Sequence, residues 1–232
     1  MSLTLNGLNQ KVTIPYSAPI GSPLTLFAFI RPAKVNAAGT LFSINSTSLL
    51  SASVATEISF SKKISGFQTG IANLLTGQVN TNLGWQRIAL TSNNGKLTVF
   101  VNNIENKASV TGAFSSTTTD VLALGAKVVT LGVFGSFFGG EVSNFRAWSR
   151  ELTDRQILQL MQAFSISDLN DVMPDKIVAA LNLNNDLISA IPGLPDGSGD
   201  GALDGINPLP PDVGGRHPKT QRPVKLFPRK TT

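Results

Sequence analysis

The stretch GGEVSNFRAWSRELTDRQILQL, residues 139–160, changes from one periodicity to another near its centre. Residues 142–148 alternate apolar and polar side chains, as a half-buried β-strand does. The following residues contain Thr153 and, three positions later, Gln156, which is the spacing of a capping box at the start of a helix. The stretch therefore predicts a strand that passes directly into one short helix.

The periodicity also predicts which side chains of this helix are buried. Ile157, Leu160 and Met161 recur at helical spacing and form one apolar side. We expect this side to pack back onto the sheet, so that the helix closes the fold and carries no chemistry of its own.

On the strand, strict alternation places Val142, Asn144 and Arg146 on one face. Arg146 is then predicted to pair with an acidic residue of the following corner, either Glu151 or Asp154. Such an ion pair at the surface would orient the corner and stabilise it only modestly.

Most of the chain before this stretch consists of short strand-like segments separated by turn residues. Residues 24–30 and 96–101 are examples that are rich in β-branched and aromatic side chains. Asn93, Asn94 and Gly95 form a strong hairpin signal, because Asn and Gly tolerate the positive φ of tight turns. Ten to twelve such strands over about 148 residues predict an all-β sandwich or barrel.

Three segments in order resemble the concanavalin A-like lectin/glucanase superfamily, in its laminin G-like branch. They are LTLNGLNQKVTIPYS with PLTLFAFIRPAKV (residues 3–17 and 23–35), LGWQRIALTSNNGKLTVFVNN (83–103), and the closing stretch 139–160. The resemblance implies a concanavalin A-like/laminin G-like jelly-roll β-sandwich with one short C-terminal helix and an extended tail. It says little about function, because this fold hosts lectins, hydrolases and structural modules alike.

The composition divides the chain into four parts. We predict a laminin G-like β-sandwich over residues 1–165 and a short extension packed on the sandwich over 166–191. An acidic linker rich in Gly and Pro follows over 192–215, and a basic, proline-containing arm over 216–232. Residues 166–215 hold eight aspartates against one lysine, whereas the arm holds six basic residues and no acidic one. The overall net charge of +5 therefore conceals strongly segregated charges.

Several enzyme classes are excluded or disfavoured by the residues present. The chain contains no cysteine and one histidine, so thiolate sites and histidine-based metal clusters are excluded. Glycoside hydrolysis needs two carboxyl groups at a fixed separation. Relatives that hydrolyse β-glucans carry them as Glu-x-Asp-x-x-Glu, but Glu141 is followed by Val, Ser and Asn. We expect a protein that is not an enzyme.

The resemblance raises the question of whether this chain binds calcium. Many relatives bind it through carboxylates in the opening turn, since calcium prefers oxygen ligands. The corresponding turn here, residues 6–10, reads Asn-Gly-Leu-Asn-Gln and contains no carboxylate. We therefore expect no cofactor, with a feeble calcium site as the alternative.

Four aromatic residues are candidates for contact with a ligand or a protein partner. They are Tyr16, Phe134, Phe137 and Phe138. The three phenylalanines lie in the glycine-flanked segment 133–140, where exposed rings would suit a sugar face or an apolar protein surface. The two tryptophans, Trp85 and Trp148, stand at positions that face the core in the family.

The basic arm is predicted to dock onto a partner protein. The residues assigned to this contact are Arg216, Lys219, Arg222, Lys225, Leu226, Phe227, Arg229 and Lys230. Prolines alternate with apolar residues here, a pattern that a merely solubilising tail would not need. A solvated tail is the alternative, and nucleic-acid binding is disfavoured because only one aromatic residue is available for stacking.

These features favour a non-enzymatic structural or interaction protein of a large assembly. The main hypothesis is a bacteriophage or viral virion component, such as a capsid decoration, collar or tail-associated protein, that is oligomeric or assembly-bound. The alternative is a lectin-like carbohydrate-binding module for adhesion to host or surface glycans. The N-terminus has no signal-peptide pattern, so we expect synthesis in the cytoplasm without export, and no apolar run is long enough for a membrane span.

Overall fold

The computed structural model describes residues 2–19, 22–33, 38–46, 53–59, 61, 63–68, 74–76, 79–80, 84–112, 118–130, 132–163, 165–183, 187 and 189–200. Two antiparallel β-sheets stack face to face in this part of the chain, and a two-stranded hairpin and short helices pack on their outer sides. This is the all-β sandwich that the sequence predicted. Among the described residues, no helix has the length and hydropathy that crossing a bilayer requires.

Among the described residues, the first sheet, sheet A, has seven strands. In chain order they are β1 (Leu3–Asn6), β3 (Leu24–Pro32), β9 (Gln86–Asn93), β10 (Lys96–Val101), β11 (Asn103–Thr111), β15 (Gly139–Trp148) and β16 (Ile177–Leu181). Their spatial order is β1-β15-β3-β9-β10-β11, and β16 pairs with the second half of β15. The Asn93–Asn94–Gly95 signal does form the tight turn between β9 and β10, with Asn94 and Gly95 both at positive φ.

The second sheet, sheet B, has eight strands in the part of the chain that the structure describes. They are β2 (Lys11–Pro19), β4 (Gly39–Asn45), β5 (Ser53–Ile58), β6 (Lys63–Gln68), β7 (Leu74–Leu75), β8 (Val79–Asn80), β12 (Thr118–Leu124) and β17 (Ser198–Asp200). Their order is β17-β2-β12-β4-β5-β6-β7, with β8 also paired to β6. A separate hairpin consists of β13 (Lys127–Thr130) and β14 (Val133–Gly135).

The main core lies between the two sheets. Val12, Phe42 and Leu124 of sheet B and Leu90 and Phe145 of sheet A are all fully buried there. Each of these side chains contributes on the order of 2 kcal/mol to folding through the apolar surface that it removes from water. The alternation of buried and exposed positions along each strand sets which residues remain on the outer faces.

A second apolar cluster covers the outer face of sheet A. Helix α1 (Asp154–Gln162) buries Ile157, Leu160 and Met161 in this cluster, as the sequence predicted. The predicted capping box is also confirmed, because the Thr153 and Gln156 side chains each accept from the other residue's backbone N–H. A second, shorter helix, α2 (Ile166–Asn170), and a 3₁₀ turn (Pro174–Lys176) follow and lead into β16.

Strand β15 departs from the predicted alternation of its faces. Asn144 has φ of 49°, and the pairing with β3 shifts register between Ser143 and Arg146. This bulge inserts an extra residue, so Val142 and Phe145 both face the main core, whereas Arg146 points to the opposite side. The prediction that Val142 shares a face with Arg146 was therefore wrong.

The sequence led us to expect an ion pair between Arg146 and either Glu151 or Asp154, and this prediction was wrong. The Arg146 side chain is fully buried, and its Nε and Nη2 atoms donate to the amide oxygens of Asn170 and Asn182, each at 2.8 Å. Nη1 donates to two backbone carbonyls. Burial lowers the pKa of the guanidinium to about 10, because a low-dielectric environment disfavours the charged form.

The chain beyond the helices connects the two sheets. Residues 192–200, assigned to the linker by composition, include β17, which pairs with β2 from Ser198↔Thr13 to Asp200↔Lys11. Gly197 is held close to the core, since a Cβ there would lie 2.9 Å from Val12 and 3.1 Å from Leu181. The described chain thus stays on the sandwich to residue 200. The rest of the predicted linker and the whole arm lie outside the described residues.

Candidate functional site

The two outer faces of the sandwich differ in what covers them. Helix α1 and the segment after it bury the outer face of sheet A. The hairpin β13–β14 lies over sheet B, where β13 contacts β4 and β5. We call the outward side chains of sheet B, together with this hairpin, the hairpin face. It retains the half-buried ring of Phe134 and the hydroxyls of Thr13 and Ser198 within reach of solvent.

Strand register explains how the hairpin can lie so close to sheet B. Thr13, Ala123, Ser43, Ala55 and Phe67 are paired successively across five strands, so their side chains share the outer side of the sheet. The middle three of these residues are small and fully buried. Their short side chains leave space for the hairpin backbone above them.

A buried hydrogen-bond network fixes the hairpin to the sheet. The Asn45 amide oxygen accepts from the backbone N–H of Val128 at 2.8 Å, and its amide nitrogen donates to Ser43 Oγ at 2.9 Å. Ser43 Oγ in turn donates to the carbonyl of Ala126 at 2.6 Å. We call this the Asn45 network. It also satisfies polar groups that would be costly to bury without partners.

Lysine side chains connect both flanks of the hairpin to the sheet. On the side of β2, Lys11 Nζ lies 4.8 Å from the ring centroid of Phe134. On the side of β6, Lys127 Nζ lies 4.1 Å from the ring centroid of Phe67 and 2.5 Å from a carboxylate oxygen of Glu57. Cation–π contacts of this kind contribute about 0.5–1 kcal/mol at exposed sites.

A polar strip borders the hairpin on the side of β2. Lys11 and Thr13 point outward from β2, and Ser198 lies opposite Thr13 on β17. The Thr13 and Ser198 hydroxyl oxygens are 2.8 Å apart. Together with the half-buried ring of Phe134, the strip combines an apolar surface with hydroxyl and ammonium groups.

The structure separates the four aromatic residues that the sequence grouped as contact candidates. Phe134 is half-buried on the hairpin face. Phe137 is also half-buried, and its backbone lies against Gly39, where a Cβ would come within 2.2 Å of the Phe137 carbonyl oxygen. Phe138 is fully buried in the main core, so its ring cannot contact a ligand, and that part of the prediction was wrong.

Tyr16 lies on a different surface from the phenylalanines. It packs against the main core beside Ile44 and Val54, in a narrow cleft between the two sheets. The cleft has room for about one water molecule and is too small for a sugar ring. Burial raises the pKa of the Tyr16 hydroxyl above 10.0, because the phenolate would lose solvation there.

The opening turn uses its amide groups to hold itself together. Asn6 Oδ1 accepts from the backbone N–H groups of Leu8, Asn9 and Gln10 at 2.9, 3.2 and 3.3 Å. Asn9 Oδ1 accepts from the side-chain amide of Asn6, and Gln10 Oε1 accepts from the backbone N–H of Asn6. These oxygens are thus engaged in the turn. In the part of the chain that the structure describes, no cluster of three His, Cys, Asp or Glu side chains is arranged to hold a metal ion.

Sequence reasoning missed most of the hairpin face. Phe67, Lys127 and Glu57 come from three separate segments, and only the register across sheet B brings them together. No local pattern marks them, because each reads as an ordinary strand residue. The predicted contact residues of the arm, 216–232, lie outside the described residues.

Solved structures with the same fold include a sialidase module solved with a sugar, a protein assigned a carbohydrate-binding role, and a pentraxin. A Bacteroides ovatus protein with a proposed carbohydrate-binding role is 15% identical, with a TM-score of 0.59 over 89% of this chain and 60% of that one. The CBM40 module of the Ruminococcus gnavus IT-sialidase, solved with α2,3 sialyllactose, is 14% identical with a TM-score of 0.54, covering 69% and 96% of the two chains. A Limulus polyphemus SAP-like pentraxin is 14% identical with a TM-score of 0.53, covering 78% and 91%.

At these identities the likeness shows a common fold. No curated protein sequence matches the chain. A laminin G family model, described as the concanavalin A-like lectin/glucanases superfamily, matches residues 6–158. That range contains β2 to β15, the hairpin included, and the start of α1. The chain therefore belongs to the laminin G family of the concanavalin A-like superfamily.

Proposed function

We propose that this protein is a non-catalytic carbohydrate-binding domain that holds a glycan on the hairpin face. The observation that carries the proposal is the strip beside β2, where the half-buried Phe134 ring lies 4.8 Å from Lys11 Nζ and Lys11 shares the outer side of β2 with Thr13, whose hydroxyl oxygen is 2.8 Å from that of Ser198. Binding sites for small ligands combine an apolar surface with a few placed polar groups in this way. The likeness to the Ruminococcus gnavus module, which was solved with sialyllactose, supports the same class of ligand.

The chemistry of a sugar matches this strip. The C–H groups on one side of a pyranose ring can lie against the Phe134 ring, while its hydroxyls exchange hydrogen bonds with Thr13 Oγ1, Ser198 Oγ and Lys11 Nζ. A half-buried ring loses little further freedom on binding, which favours affinity. Glu57, the carboxylate on the other flank, is in an ion pair with Lys127 and supports the hairpin.

Substitution of Phe134 tests the proposal directly. A glycan array with the wild-type protein should identify ligands, and Phe134→Ala should weaken binding to them by about tenfold or more, a loss of ~1.4 kcal/mol. Calorimetric titration would measure the change. Tyr16→Phe is the matched control, because it alters an aromatic residue away from the hairpin face and should leave affinity unchanged. An array without ligands, or equal binding by Phe134→Ala, would overturn the proposal.

The assembly role remains a prediction. It depends on residues 216–232, which lie outside the described part of the chain, and the comparisons favour glycan binding over it. A glycan-binding domain that is carried on a larger particle would satisfy both hypotheses.

A further inference from the structure

The hairpin covers the middle of sheet B completely. Ala123, Ser43 and Ala55 point to the outer side of three neighbouring strands, and each is fully buried. Val128 of the hairpin is also fully buried above them. A sugar chain therefore cannot lie across the strands of this sheet, because the Asn45 network holds the hairpin where the chain would pass.

The flanks of the hairpin are also interrupted. The Lys11 side chain extends from β2 to the Phe134 ring of the hairpin and so spans the strip between them. Lys127 extends from β13 to Phe67 and Glu57 and crosses the opposite flank. A ligand on the strip beside β2 would thus meet the Lys11 side chain at one end.

We propose that the hairpin face accepts the end of a glycan, one or two sugar residues, and not an internal stretch of a polysaccharide. This inference rests on the proposed function and adds the class of ligand to it. Internal recognition requires a groove that is open at both ends, and this strip is closed by Lys11. Affinity should therefore stop rising once the ligand is about two residues long, because further sugars extend into solvent.

A series of oligosaccharide lengths tests the inference. The probes are oligosaccharides of one to six residues derived from cellulose, chitin, laminarin and polysialic acid, each beside its intact polymer. We expect the dissociation constant per chain end to be the same for the disaccharide and the hexasaccharide of the class that binds. Fragmentation of the polymer should raise its binding capacity in proportion to the number of ends.

Other results would separate this inference from the proposed function. Affinity that rises with each residue up to six, or a polymer that binds many copies along its length, would overturn the inference and leave glycan binding intact. Failure to bind any length of any class, on these probes and on the array, would overturn both.

A lysine substitution sharpens the test. Lys11→Ala should open the strip and raise the ratio of hexasaccharide to disaccharide affinity above that of the wild type. Lys96→Ala, which removes an exposed lysine at the start of β10, is the matched control and should leave the ratio unchanged. Because the measurement is a ratio, a general loss of affinity in the Lys11 variant would not affect it. An unchanged ratio for Lys11→Ala would contradict the role given to that side chain.

Discussion

Arg146 is fully buried and joins three segments of the chain through its hydrogen bonds. Its guanidinium binds the side chains of Asn170 and Asn182 and two carbonyls, so its charge is dispersed over neutral acceptors. Lysine has one nitrogen and cannot reach these separate acceptors at once. We expect Arg146→Lys to lower the free energy of unfolding by about 3 kcal/mol, because buried acceptors lose charge-assisted hydrogen bonds.

Urea unfolding would measure this loss. Arg150→Lys is the matched control, since Arg150 lies four residues further along and is exposed, and its substitution should change stability by less than about 0.5 kcal/mol. Equal stability of Arg146→Lys and the wild type would show that the Asn170 and Asn182 contacts contribute little.

Tyr16 provides a pH-dependent signal, because it is the only tyrosine in the chain. Burial raises its pKa above 10.0, so the unfolded chain releases the phenolic proton at a lower pH than the folded protein does. The free energy of unfolding should therefore fall as the pH rises above 10. Phenolate absorbance should show a midpoint above 10.0 in buffer and near 10.0 in denaturant. Tyr16→Phe should remove this part of the alkaline destabilisation, and a midpoint of 10.0 or lower in the folded protein would contradict the burial.

At the scale of elements, the hairpin depends on the Asn45 network. Asn45→Ala removes the acceptor for the Val128 N–H and a donor to Ser43, and should cost about 1–3 kcal/mol. Ser43→Ala removes the hydrogen bond to Ala126. Because both side chains belong to one network, the double variant should lose less than the sum of the two single losses.

Hydrogen exchange would locate the effect of these substitutions. The Val128 amide should exchange faster in Asn45→Ala, whereas the Ile157 amide in α1 should keep its wild-type rate. Strict additivity of the two losses, or unchanged exchange at Val128, would mean that the small residues beneath the hairpin hold it without the network.

The elements differ in how far the sequence determines them. The start and the buried side of helix α1 were predictable, because Thr153, Gln156 and the spacing of Ile157 and Leu160 are local signals. The position of the hairpin on sheet B was not predictable, since it depends on small residues from three strands that only the register aligns. The bulge at Asn144 was missed for a similar reason, because one inserted residue reverses the faces that follow it.

For the whole molecule, the resemblance of three separated segments was sufficient to predict the sandwich. It could not show where the chain leaves the sandwich. Residues 192–200 have the glycine and proline content of a linker, yet β17 is held by backbone pairing to β2. Backbone hydrogen bonds can form whatever the side chains are, so the amino-acid composition does not reveal this pairing. Gly197 lies close to Val12 because it has no side chain. The same limit applies to the candidate site. The sequence identified Phe134 from the glycine-flanked segment 133–140, but it did not identify Lys11, whose ammonium group lies near the Phe134 ring.

The pairing of the first strands with the last ones constrains how this protein folds. β1 aligns with β15, and sheet A is complete only with β16, which ends at residue 181. Sheet B is complete only when β17, residues 198–200, pairs with β2. Contacts between such distant segments slow folding, because loop-closure entropy must be lost before they form. On the ribosome, the N-terminal strands would expose their apolar faces and unpaired edges until the C-terminal strands emerge. The sandwich is therefore expected to fold only after β17 has emerged, on a scale of milliseconds to seconds, and to depend until then on protection from aggregation.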